Sequence, residues 1–167
     1  MPATQKPAVD QALASLIRGT HRDPFAVLGP HAESGAMVIR AFQPAARSIE
    51  VRLVASGALA PMEKRDPAGV FEARLEGQVG QVGQVGEAPD YRLRITYPGD
   101  LVLEIDDPYR YGRVLTDFDL HLLSEGTHHR AFEKLGAHRI VQGTTTGVHF
   151  AVWAPNADRV KIGRAHV

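Results

Sequence analysis

The chain has 167 residues, 44% of them hydrophobic, with 19 Lys/Arg balanced by 19 Asp/Glu. That length carries one domain, or one and part of another, with enough chain to bury a core. Zero net charge without any Lys/Arg run excludes the basic stripe of a nucleic-acid binder, and the lack of cysteine excludes a disulfide framework and thiolate chemistry. The N-terminal MPATQKPAVD has no apolar leader core and no apolar stretch approaches membrane-spanning length, so the reading is a cytoplasmic protein with no membrane partner.

Val9, Ala12, Leu13, Leu16 and Ile17 recur at helical spacing, and Gly19 sits where that helix stops. Asp23-Pro24 follows as an N-cap with proline at the first helical position, which predicts a second helix of one or two turns ending at Gly29. From there the period changes to two. Strands are predicted over Met37 to Gln43, Ser48 to Val54, Val70 to Leu75, Tyr91 to Tyr97 and Leu101 to Ile105. In the third, Val70, Glu72 and Arg74 share one face and Phe71, Ala73 and Leu75 the other. Pro98-Gly99-Asp100 is a turn, with proline setting one φ and glycine supplying a positive one. Short alternating strands with regular punctuation imply an all-β fold, an antiparallel β-sandwich preceded by short helices.

QVGQVGQVG, residues 78 to 86, has a period of three that fits neither strand nor helix, and too few triplets and no proline for a collagen-like segment. It reads as an expanded hairpin loop. From Tyr109 to Arg130 a connector is predicted, with Leu115, Phe118, Leu122 and Leu123 in a short helical or irregular stretch broken at Ser124-Glu125-Gly126-Thr127.

The chain also repeats itself. FAVLGPH, residues 25 to 31, resembles FEKLGAH, residues 132 to 138, and RAFQPAARSI, 40 to 49, resembles AVWAPNADRV, 151 to 160. Each copy reads Leu-Gly-x-His, a strand ending in an aromatic residue, then a proline turn into the next strand. A whole sandwich followed by the truncated start of a second, similar one is therefore expected.

Four segments carry a family resemblance: GTHRDPFAVLGPH, IDDPYRYG, LLSEGTHHRAFEKLGAH and GVHFAVWAPNADRV. Together they are similar to the N-terminal region of bacterial glycogen (1,4-α-glucan) branching enzymes of the α-amylase superfamily, from about Gly19 to Val160. LLSEGTHHRAFEKLGAH is the most specific, whereas VWAPNA is shared more widely in that superfamily. The resemblance implies two tandem immunoglobulin-like modules, the second of a carbohydrate-binding type, preceding a catalytic (β/α)₈ barrel. It implies cleavage of an α-1,4-glucan and transfer of the cut segment to a 6-hydroxyl, by a retaining two-carboxylate mechanism without metal or cofactor. None of the barrel's catalytic motifs matches a position here, so no catalytic, cofactor or metal residue is assigned. The implied organisation is a helical segment over 1–22, the first sandwich over 23–108, a connector over 109–130 and the start of the second sandwich over 131–161. The role implied for the piece is a non-catalytic glucan-contacting spacer; a stand-alone glucan-binding or interaction module is the alternative.

Tempting residues have plainer readings. Adjacent Asp106 and Asp107 point to opposite faces of a strand end and are expected to cap a turn, not to act as an acid–base pair. His121, His128, His129 and His138 match no metal-binding spacing, and His31 and His138 recur in both copies as local hydrogen-bonding groups. Trp153, whose repeat partner is Phe42, is expected in a core. Tyr91, Tyr97, Tyr109 and Tyr111 are candidates for glucan contact, and nothing in the sequence selects among them. IGRAHV, residues 162 to 167, replaces the expected strand and resembles the translation of a sequencing adaptor, ATC GGA AGA GCA CAC GTC, which marks it as an artefact.

Overall fold

The computed structural model describes residues 5–76, 89–142, 145–157 and 160–161, with side chains from Asp10 onward. The QVG loop and the IGRAHV tail lie outside the described residues. The chain divides into two compact units, Met1–Arg113 and Val114–Val167.

The first unit is an antiparallel β-sandwich. One sheet has the order β1-β2-β6-β5, formed by Gly29–Glu33, Ala36–Phe42, Val70–Glu76 and Glu63–Asp66. The other has the order β4-β3-β7-β8, formed by Leu59–Pro61, Ser48–Leu53, Tyr91–Thr96 and Val102–Ile105. Alternation decides what faces inward. Met37, Ile39, Ala41, Phe71, Ala73 and Leu75 from the first sheet meet Ile49, Val51, Tyr91, Leu93 and Ile95 from the second in one core. A one-residue slip would turn each of these sets to the opposite face, so burial fixes the register. The chain changes sheets at Gln43-Pro44-Ala45-Ala46, where Ala46 N–H donates to the Gln43 carbonyl at 3.1 Å.

The first sheet is buried on its outer face as well. Helix α1, Gln5–Ile17, lays Leu13 against Val27 and Val70, with Ala12, Leu16, Ile17 and Phe42 around them. Every residue of β2 from Ala36 to Ala41 is buried, although only alternate ones face the sandwich core.

Four elements differ from the sequence expectation. The predicted helix after Asp23 is a single 3₁₀ turn, Pro24–Ala26, and the Asp23 side chain makes no capping hydrogen bond. Gly29 ends no helix but opens β1, which pairs with β2 through a two-residue turn in which Ser34 and Gly35 both have positive φ. Strands β4 and β5 were absent from the sequence reading. Their residues, LAP and EKRD, lack apolar alternation and form strands only because β3 and β6 offer open edges.

The second unit holds α2, Asp117–Glu125, a 3₁₀ turn at Ala131–Glu133, and the hairpin β9–β10, Gly136–Gln142 with Thr145–Ala151. It begins inside the stretch read as a connector. The helix carries a capping box in which Thr116 Oγ1 accepts from Asp119 N–H and Asp119 accepts from Thr116 N–H, and it stops at Gly126 in the left-handed conformation.

The repeat is structural as well as sequential. In both copies a helix ends at a positive-φ glycine, a 3₁₀ turn follows, and Leu-Gly-x-His leads into a hairpin. His31 Nε2 lies 3.2 Å from the Leu28 carbonyl, and His138 Nε2 lies 2.9 Å from the Leu135 carbonyl. Gly29 pairs with Arg40, and Gly136 with Ala151, the residue that the sequence repeat sets against Arg40. The proline turn returns too, with Ala157 N–H donating to the Ala154 carbonyl at 3.1 Å.

Candidate functional site

The first unit carries a clamp where the chain enters and leaves the sandwich. Tyr91 is completely buried on β7, and its hydroxyl donates to Asp107 Oδ2 at 2.6 Å. Asp107, 1% exposed, also accepts from the Tyr109 N–H at 2.9 Å, which closes the turn at Asp107-Pro108-Tyr109. Arg110 donates to the Tyr91 carbonyl, pairs with Asp90 at 2.7 Å and lies over the rings of Tyr91 and Tyr111.

The exit turn then grips the entry. Tyr109 packs edge-on to Phe25, with ring centroids 5.1 Å apart. Gly29, at φ +86°, lies so close that a Cβ there would fall 2.7 Å from the Tyr109 carbonyl oxygen. Arg113 reaches Asp23 at 3.4 Å. Two sequence segments far apart in the chain, GTHRDPFAVLGPH and IDDPYRYG, are thus one structural feature.

Electrostatics follow from burial. Desolvation, and then the adjacent Asp107 carboxylate, hold the Tyr91 phenol far above its ordinary range, so it is a permanent donor. Burial also pushes Asp107 upward, against the opposing hydrogen bonds from Tyr91 and Tyr109. The two aspartates do point apart: Asp106 is half-exposed and faces Arg92 at 3.3 Å and Arg110 at 3.9 Å. They form no acid–base pair.

The outer face of the β4-β3-β7-β8 sheet is a lattice of opposite charges. Arg52 forks onto Glu104 at 2.8 and 2.9 Å, Arg92 approaches the same carboxylate at 3.6 Å, and Arg94 reaches Glu50 at 3.0 Å. In the second unit, Asp119 gathers Thr116, His128 at 3.1 Å and Lys134 at 3.4 Å. The Thr116 N–H and hydroxyl, joined by His128, hold its carboxyl well below the usual carboxylate range. This node ties the start of α2 to the turn that follows it.

Residues 9–109 match the family described as alpha-1,4-glucan branching enzyme GlgB, N-terminal domain. The chain belongs to this family. It is 48% identical, over 97% of its own length, to the 1,4-alpha-glucan branching enzyme GlgB of Paramagnetospirillum magneticum. It is 40% identical over 92% of its length to the protein of that name from Rubrobacter xylanophilus, and 45% over 89% to that of Bradyrhizobium sp. strain BTAi1. These matches span 20%, 20% and 19% of the three relatives, so the chain corresponds to about one fifth of each.

Within the branching-enzyme N-terminal domain, the tyrosines proposed for glucan contact sort clearly. Tyr91 is fully buried and unavailable to a ligand. Tyr97 packs against the sandwich core, and Tyr109 and Tyr111 are half-buried in the clamp. Exposed aromatic rings among the described residues are instead in the second unit: Phe118, Phe132, Phe150 and Trp153. Trp153, expected in a core, is 42% exposed to solvent beside the two strands described in this unit. Its counterpart Phe42 is covered by α1 and by Val70 of a third strand, whereas β10 pairs with β9 alone among the described residues. The clamp itself escaped the sequence reading, although Asp-x-Tyr after a strand, with a lone buried-type Tyr on its neighbour, was the available signal. Of the histidines, His121 and His129 are exposed, and no group of three His, Cys, Asp or Glu that could hold a metal occurs among the described residues.

Proposed function

We propose that this chain is the N-terminal, non-catalytic part of a glycogen branching enzyme acting in the cytoplasm. The longer polypeptide cleaves an α-1,4-glucan and transfers the segment to a 6-hydroxyl, while this part serves as a glucan-contacting spacer. The observation that carries the reading is identity of 48% over 97% of the chain to one fifth of a branching enzyme. The first unit is the spacer: its tyrosines are committed to packing and its entry and exit are tied together. The second unit is the start of a carbohydrate-module-like sandwich. The edge of β10 that no described strand pairs matches the edge of β2 that receives β6.

Affinity electrophoresis of the 167-residue chain in a glycogen-containing gel tests the contact role. Migration is expected to slow with increasing glycogen. Unchanged migration of the folded chain at all glycogen concentrations would remove direct glucan contact from the proposal.

A further inference from the structure

The two histidines that matter here lie 11 positions apart in sequence and match no metal-binding spacing, but the hairpin brings them together: His138 on β9 is directly opposite His149 on β10. Directly opposite residues project from the same face with Cβ atoms about 4.5–5.5 Å apart, a separation from which two imidazoles can meet one ion at about 2.0–2.1 Å. His138 has one ring nitrogen already engaged. Its Nε2 sits 2.9 Å from the Leu135 carbonyl, and when that nitrogen carries the hydrogen, Nδ1 keeps its lone pair. A histidine donating one ring N–H to a backbone carbonyl while offering the other nitrogen is the usual arrangement behind a metal ligand.

The first copy of the repeat is a built-in control. His31 makes the same contact with the Leu28 carbonyl, but the residue opposite it is Val38. Only the second copy supplies two facing imidazoles. His149 is half-buried.

We propose that His138 and His149 form a two-histidine site for a late first-row divalent ion, Cu²⁺ above Zn²⁺, which clips β9 to β10. Imidazole suits these ions, and Cu²⁺ stands above Zn²⁺ in intrinsic affinity. Water fills the remaining positions, since no third side-chain ligand is grouped with the pair among the described residues. An ion that binds only the paired form stabilises that pairing by mass action. The site is independent of the glucan reading above.

Cu²⁺ titration of the 167-residue chain, followed by fluorescence, tests this. Trp153 is the single tryptophan and lies four residues from His149, within roughly 14 Å along the chain, so bound Cu²⁺ quenches it. Saturable quenching at one ion per chain is expected, with at least tenfold weaker binding in His149→Val, which recreates the first copy's pair. His149→Gln, read in parallel, gives the same loss if valine perturbs the hairpin, with circular dichroism confirming that each variant is folded. His129→Ala leaves binding unchanged. Equal affinity in folded His149 variants, loss of binding in His129→Ala instead, or no saturable quenching at all would overturn the proposal.

Discussion

Replacing Arg40 with alanine is expected to cost about 3–5 kcal/mol of folding stability, the largest loss from any single polar side chain of the first unit. Arg40 is 5% exposed on the outer face of β2. Its two terminal nitrogens fork onto Glu33 at 2.7 and 2.8 Å, and Nε donates to Glu72 at 2.7 Å. Glu72 is directly opposite Arg40 on β6, and its other oxygen accepts from Arg65 at 3.1 Å. Three strands are thus tied through one guanidinium whose planar fork a lysine cannot reproduce. Removing it strands two partly buried carboxylates that then lack their principal cation. Denaturant midpoints of the wild type and variant measure the loss.

The same cluster sets an acid limb. The hydrogen bonds from Arg40 hold the Glu33 carboxyl below its ordinary value, in spite of partial burial. A depressed carboxylate contributes stability that is present above the unfolded pKa of about 4.3 and is lost as pH falls through the folded value. Wild type therefore weakens on acidification below that point, and Arg40→Ala shows a shallower acid slope. An identical slope in both proteins would remove Glu33 from that account.

The second large effect belongs to the clamp. Asp107→Ala is expected to cost about 2–4 kcal/mol, because it leaves the buried Tyr91 hydroxyl and the Tyr109 N–H without their acceptor. Asp107→Asn is expected to cost less than Asp107→Ala at neutral pH, since its amide oxygen can still accept from the Tyr109 N–H and it carries no buried charge, although its NH₂ cannot accept from the Tyr91 hydroxyl. The sign of the pH effect is opposite to that of Glu33. Burial raises Asp107, so its contribution is full below the unfolded carboxylate pKa and is lost as pH rises through the folded value. The Asn variant therefore gains on wild type between acid and neutral pH. A loss in Asp107→Asn as large as that in Asp107→Ala would contradict the role given to the Tyr109 N–H contact.

Much of the sandwich was legible because its strands alternate. Phe71, Ala73 and Leu75 face the main core, as their spacing implied, and Val70 turns to α1. Tyr91 to Tyr97 reads as a strand and forms one over Tyr91–Thr96. What escaped was set by pairing rather than by pattern. GPHAE becomes β1 because Ser34-Gly35 folds it onto β2, and EKRD becomes β5 only beside β6. The turn after Tyr97 was read correctly at Gly99, but Asp100 also takes a positive φ of 58°. Trp153 is exposed where its counterpart Phe42 is covered by α1 and Val70, a cover that no described strand of the second unit supplies. The clamp was hidden because Asp107 lies in the turn after β8 and Tyr91 at the start of β7, 16 residues apart, and no local spacing announces their hydrogen bond. The internal repeat, by contrast, was read directly, down to the paired contacts of His31 and His138.

A chimera tests the central claim most directly. The branching enzyme of Paramagnetospirillum magneticum, 48% identical to this chain, is made with the segment that aligns here replaced by residues 5–161 of this chain. The account predicts a folded protein that forms α-1,6 branches in a linear α-1,4-glucan at a rate near that of the unaltered enzyme. A folded chimera without branching activity would contradict the assignment of this chain as the N-terminal part of such an enzyme.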